Sequence, residues 1–256
     1  MTQAPHADSP MPTMTPEKAL SGGARVPSTR ELLAAQPAGL ESRAPGDVLA
    51  DAAYQAILKE IFGNRMRPGE PVSEVRLARL LGMSRTPVHL AVRELVRDGL
   101  LMQEPNRRPA FRAFNADDVR EIYDLRVLLE SEAAALAALR LDRPTLQSLV
   151  AGCNSLGRHL RSKDVLQRWA DLDEAFHRAI ALACGNRRLV QDIFRYRLVH
   201  RGFNTIRFTA DLVPQALAEH EQVLAAIGNR DAEAARRAMA IHLREWQAYY
   251  VRSFSA

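Results

Sequence analysis

Between Asp47 and Phe62 the apolar residues Val48, Leu49, Ala52, Ala53, Ile57, Ile61 and Phe62 recur with a helical period and fall on one broad face. Arg67-Pro68-Gly69 ends that helix, because proline cannot continue it and glycine turns the chain. Ser73 is placed to cap a short helix carrying Val75, Leu77, Ala78, Leu80 and Leu81, and Gly82 closes it. Ser84 opens a second helix with Val88, Ala91, Val92, Leu95 and Val96 inward, ending near Asp98-Gly99. Two segments of strand character follow, Leu100–Gln103 and Ala110–Phe114, around the basic turn Pro105-Asn106-Arg107-Arg108-Pro109. Helix, turn, helix and basic hairpin make the winged helix-turn-helix plan, in which the second helix offers its N-terminal residues to a major groove.

Beyond this unit every pattern is helical. Asn115 is placed as an N-cap, with Asp117 and Asp118 in the first turn, for a helix to about Leu141. Asp142 and Pro144 start another to about Ser162, and further helices are expected at Lys163–Ala183, Arg187–Thr209, Leu212–Ile227 and Asp231–Phe254. Each amphipathic stripe needs a partner, so an antiparallel bundle of six or seven helices is expected. Residues 1–46, with Pro, Ser, Gly and Ala but no sustained apolar period, read as a mostly disordered extension with a short helix around Arg30–Gln36. The chain therefore reads as mainly α in three parts: the extension 1–46, a winged helix-turn-helix over 47–114, and an all-helical domain over 115–256.

Charge sharpens the first part of this reading. The net charge is only +5, but residues 51–112 carry a surplus of four positive charges, as a phosphate-facing module requires. Cys153 and Cys184 lie inside helical patterns with no paired framework, which fits buried thiols in a reducing cytoplasm. No apolar run reaches the roughly 18 residues of a membrane span, and the N-terminus lacks the basic-then-apolar layout of a signal peptide.

The segment Leu80-Leu81-Gly82-Met83-Ser84-Arg85-Thr86-Pro87-Val88 resembles the signature of GntR-type regulators, and Arg67-Pro68-Gly69 and Asp98-Gly99-Leu100 match the same pattern. The resemblance implies that Ser84, Arg85 and Thr86 meet operator DNA at the start of the recognition helix. Arginine there is suited to bidentate contact with guanine. Two departures stand out. His89 occupies a position where the family commonly has a base-reading arginine. At the wing the family favours glycine at the tip, whereas Arg107 and Arg108 are followed by Pro109, which cannot take a positive φ. Arg107 and Arg108 remain candidates for phosphate or minor-groove contact, while operator sequence does not transfer from relatives.

A second constellation lies in the helical region. Asp173 and His177 stand four residues apart in Asp173-Glu174-Ala175-Phe176-His177, on one helix face, and His220 and His242 fall on two later helices. With Gly185-Asn186 and the segment Ala226–Asp231, this resembles the FadR-type C-terminal (FCD) domain of the same family, over residues 115–250. That resemblance implies a divalent metal held by Asp173, His177, His220 and His242. Three imidazoles and a carboxylate suit zinc, with nickel or manganese as alternatives. It also implies an effector pocket above the metal, lined by Arg126. The local alternative for Arg126 is an i,i+4 pair with Glu130. His200 is left open between cavity and solvent, while His159 is expected at the surface and His6 in the tail.

The expected function is a cytoplasmic DNA-binding transcription regulator, not an enzyme. It would act as a homodimer on a near-palindromic operator, with affinity controlled by a small carboxylate such as a sugar acid, hydroxy acid or dicarboxylate. Two alternatives stand beside it. One is a metal-sensing repressor. The other is a metal-dependent hydrolase with an accessory DNA-binding domain, for which Glu174 or Glu221 would be the base.

Overall fold

The structure is a computed structural model that describes residues 27–34, 45–62, 69–111 and 115–255. Among them the order is α1 (Thr29–Ala34), α2 (Pro45–Phe62), α3 (Glu74–Leu81), α4 (Arg85–Arg97), β1 (Leu101–Met102), β2 (Ala110–Phe111) and six helices to the C-terminal end. These are α5 (Ala116–Arg140), α6 (Arg143–Gly157), α7 (Val165–Ala183), α8 (Arg187–Arg207), α9 (Val213–Gly228) and α10 (Ala232–Ser255), with a 3-10 turn at Ala210–Leu212 before α9. The mainly α architecture, with a winged helix-turn-helix ahead of a helical bundle, is the one the periodicities imply.

In the head, α2 packs across α4, and α3 leans on α4. Ser73 accepts a hydrogen bond from the Arg76 amide, which starts α3. Gly82, at φ +63°, ends it, so that the Met83 amide reaches back to the Ala78 carbonyl at 3.0 Å. The α2 stripe is narrower than the apolar pattern suggests. Ala53, Ile57 and Ile61 are buried, but Val48 and Leu49 are 56% and 53% exposed, so the packed face begins at Ala50. Arg67 and Pro68 lie outside the described residues; Gly69, at φ +79°, makes the turn after them.

In the wing, Leu101 stands opposite Phe111 and Met102 opposite Ala110, while residues 112–114 of the expected second strand lie outside the described residues. Its second strand is also tied to the segment before α3: the Val72 amide donates to the Pro109 carbonyl and the Phe111 amide to that of Glu70. The left-handed residue of the wing turn is Asn106, at φ +62°. Asparagine tolerates that region, so a tip without glycine still closes, and Pro109 is relieved of a conformation it cannot adopt.

Asn115 forms a full capping box with Asp118: its side chain accepts from the amides of Asp117 and Asp118, and Asp118 accepts from the Asn115 amide. The helix it opens, α5, is the bundle's central rod. It packs most extensively on α10, and Ala133, Ala134, Ala137 and Ala138 allow close approach. Asp142 caps α6, which ends at Gly157, short of the expected Ser162. The extension is ordered where a short helix was expected, since α1 lies against α7 and α6 and buries Leu32. Residues 1–26 and 35–44 lie outside the described residues.

Candidate metal centre and nucleic-acid interface

Four helices converge on the proposed metal centre. α7 supplies Asp173 and His177 on successive turns, α9 supplies His220 and α10 supplies His242, while α5 backs them with Glu130. Phe176 stacks on the His220 ring at 3.8 Å between centroids, and this fixes the plane of that imidazole. All four candidate ligands are buried. One nitrogen from each of the three histidines lies within 4.8 Å of the others, and the Asp173 Oδ1 stands 3.6 Å from His177 Nε2 and 3.5 Å from His220 Nε2.

The hydrogen bonds behind these rings aim them. His177 donates through Nδ1 to Glu130 Oε2 at 2.5 Å, and His242 donates through Nδ1 to Glu219 Oε2 at 2.7 Å. Each bond fixes a tautomer whose Nε2 carries the lone pair. His177 Nε2 and both nitrogens of His220 are buried without a hydrogen-bond partner. Buried polar atoms left unpaired cost free energy, and a cation placed among the lone pairs offsets part of it. Carboxylate-backed imidazoles of this kind are the usual outer shell of a metal site. Burial pushes His177 and His220 well below the ordinary imidazole value, helped respectively by Arg197 and by His242, so both are neutral and able to ligate. Burial opposes ionisation of Asp173, but the Arg197 guanidinium beside it holds its carboxyl well below the usual range. The residues present therefore fit a divalent ion with nitrogen-rich ligation.

Beside the imidazoles lies a small cavity whose polar lining is Arg126, Asp173, His200, Asn204 and His242. Arg126 makes the i,i+4 pair with Glu130 and also lines the cavity. Its Nε donates to Glu130 Oε1 at 2.6 Å, while its Nη1 is buried without a partner on the cavity wall. Glu130 thus joins the arginine to a ligand histidine. His200 is in the cavity wall, where Tyr123 donates its hydroxyl to His200 Nδ1 at 2.8 Å.

Sequence reasoning missed three participants. Glu130 entered only as a neighbour of Arg126, Glu219 was masked by the histidine beside it, and Arg197 had no motif. Arg197 donates from Nη2 to Asp173 Oδ2 at 2.7 Å and to Glu174 Oε2 at 3.2 Å. The spacing of Arg197 and His200 by three residues on one helix was the available signal.

The head presents the other candidate residues to solvent. Ser84, Arg85, Thr86 and His89 are exposed at the N-terminal end of α4, and Arg107 and Arg108 are exposed on the wing turn. Ser84 leaves its hydroxyl out of the cap. Two of the set are engaged within the head: His89 Nδ1 lies 2.9 Å from Glu74 Oε1 of α3, and Arg107 pairs with Glu104 at 3.1 Å. At the far end of α4, Asp98 accepts from the Tyr54 hydroxyl at 2.7 Å and pairs with Arg195 of α8 at 3.1 Å. Arg195 also donates to the Arg97 carbonyl, so the bundle holds the end of this helix.

Residues 49–109 match the family described as bacterial regulatory proteins, gntR family, and residues 121–245 match the FCD domain. An HTH-type transcriptional regulator from the ttuE-ttuC' intergenic region of Agrobacterium vitis is 38% identical over 137 residues, which is 52% of this chain and 78% of that protein. The HTH-type transcriptional repressor RspR of Escherichia coli is 24% identical over 203 residues, covering 75% of this chain and 84% of that one. In fold, the chain is similar to McbR/YncC of E. coli, with a TM-score of 0.67 at 21% identity over 80% of this chain and 98% of that chain. No helix among the described residues is long and apolar enough to cross a membrane.

Proposed function

The chain belongs to the GntR family of bacterial DNA-binding transcription regulators and carries that family's FCD domain, and from this we propose that a small carboxylate, bound beside a divalent ion in the helical domain, controls its affinity for operator DNA. Asp173, His177, His220 and His242 hold the ion, which is zinc, with nickel or manganese as alternatives. When bound, the ion supplies positive charge and open coordination toward an anion. Arg126 binds the effector from the opposite wall through its unpaired Nη1. Ser84, Arg85, Thr86 and His89 meet the major groove, and Arg107 and Arg108 reach the backbone or minor groove. His89 is restrained by Glu74, and this leaves its Nε2 as the reading atom.

The observation that carries this reading is the set of buried imidazole nitrogens without partners, next to a cavity with an unpaired guanidinium N–H on its wall. A metal-sensing repressor would need no such cavity. A hydrolase would need a free base, but Glu174 is tied to Arg197 and Glu221 is exposed. The regulator works in the cytoplasm as a homodimer on a near-palindromic operator, its two-fold axis matching half-sites about one helical turn apart. Leu128, 70% exposed on α5, supplies apolar surface for a second copy.

Metal analysis of the purified protein and of His177→Ala with His220→Ala tests the ion, with one equivalent expected in the first and none in the second. Operator binding by fluorescence anisotropy, with and without chelator and added carboxylates, tests control. A double variant that still holds a full equivalent removes the ligand assignment, and operator affinity indifferent to both additions removes the regulatory reading.

A further inference from the structure

The cavity wall specifies more than a negative charge. Aromatic residues are only 6% of the chain, yet both tryptophans, Trp169 and Trp246, line this cavity together with Tyr123, Phe208 and Tyr250. Three of the polar tips on these rings are already engaged within the protein. The Tyr123 hydroxyl is on His200, the Tyr250 hydroxyl on Asn204, and the Trp246 N–H on Glu219 Oε2 at 2.8 Å. The wall therefore offers ring faces and edges more than hydrogen-bonding groups.

Arg126 is the cation in the lining, and its Nη1 is unpaired. Arg197 is nearby, with its Nη2 engaged by Asp173 and Glu174. A polyhydroxylated acid would bury several hydroxyls against aromatic carbon, at a free-energy cost for each one without a partner. The other unpaired donor on the lining residues is the buried indole N–H of Trp169, enough for one further acceptor on a ligand.

We propose that the effector is a single-ring aromatic carboxylate, its carboxylate paired with Arg126 and its ring packed among Tyr123, Trp169, Phe208, Trp246 and Tyr250. This rests on the reading of the cavity as a carboxylate site, and narrows it away from sugar acids and aliphatic dicarboxylates. Aromatic side chains recognise a planar ring by offset and edge-to-face contact as well as by burial.

Calorimetric titration of the full-length, zinc-loaded protein with benzoate, benzamide, succinate and gluconate tests the proposal, with tryptophan fluorescence as a second readout from the wall itself. Benzoate is expected to bind at least tenfold tighter than succinate or gluconate and to change the emission, and benzamide at least tenfold weaker than benzoate. Succinate or gluconate binding as well as benzoate overturns the aromatic class and leaves the carboxylate site standing. Benzamide binding as well as benzoate overturns the carboxylate reading beneath it. Silence toward all four overturns the proposal. Phe208→Leu, at a half-buried position beyond the end of α8, is expected to weaken benzoate about fivefold or more through loss of ring contact. An unchanged benzoate affinity in that variant places the ring elsewhere and counts against the aromatic wall.

Discussion

Replacing Glu130 by Ala removes one carboxylate that serves two masters. Its Oε1 takes the Arg126 Nε at 2.6 Å and its Oε2 takes the His177 Nδ1 at 2.5 Å, and all three side chains are 3% exposed or less. Arg126 already has an unpaired Nη1, so the variant leaves a buried guanidinium without its countercharge. Breaking a buried pair from one side costs about 3–5 kcal/mol. His177 loses the bond that sets its tautomer, and loss of such a backing group lowers metal affinity about 10–100-fold, or about 1.4–2.7 kcal/mol. The two effects separate experimentally. Urea unfolding of chelator-treated protein reads the first, and zinc titration reads the second. Both tryptophans lie in the bundle, on α7 and α10, so fluorescence follows this domain and not the head. Glu130→Gln, which keeps the shape and one acceptor, is expected to fall between. If Glu130→Ala unfolds within about 0.5 kcal/mol of the parent, a change no larger than ordinary surface substitutions cause, the carboxylate carries no structural load and the coupling of Arg126 to His177 is wrong.

Arg85→Ala, at an exposed position on the recognition helix, should weaken operator binding about tenfold or more, since a good arginine–guanine pair is worth about 1–3 kcal/mol; circular dichroism should be unchanged, and equal affinity in anisotropy removes Arg85 from the contact set. The metal-free protein should lose stability as pH falls below about 6.5. Burial, with Arg126 and Arg197 behind it, holds His200 well below its ordinary value of 6.5, and His177 and His220 are depressed with it. The unfolded chain then binds more protons than the native one below that pH, so stability present above 6.5 is withdrawn as protons are added. A urea midpoint flat from pH 7.5 to 5.5 would contradict this. Leu32→Ala on α1 should lower the stability of the bundle by up to about 1.5–3 kcal/mol while leaving operator affinity alone. Weaker DNA binding without destabilisation would assign the extension a direct role at the operator.

Much of this arrangement could be read from residue order because its determinants are local. Caps such as Asn115 and Asp142 and the glycine stop at Gly82 act within one turn, so the elements appear where the pattern puts them. Asp173 and His177 share a face for the same reason. The participants that escaped notice act across the fold: Glu130 meets His177 from 47 residues away, Glu219 meets His242 from 23, and Arg197 meets Asp173 from 24. No periodicity encodes a contact of that kind. The wing shows a subtler limit. The absence of glycine and the presence of Pro109 suggested an uncertain turn, whereas Asn106 takes the left-handed role three residues earlier.

Arg195 and Arg197 stand two positions apart on α8, about 200° around its axis, and each grips something different: Arg195 holds Asp98 at the foot of the recognition helix, and Arg197 holds Asp173 in the bundle interior. α8 is in effect a spindle with a hook on either side. A rotation of a few degrees that draws one hook inward would carry the other outward, so that under the proposed function strain at the pocket would pass to the groove-reading surface through this one helix. Such linkage runs both ways and by the same factor. On that proposal, a protein seated on its operator would hold its small molecule with an affinity different from that of the same protein free in solution.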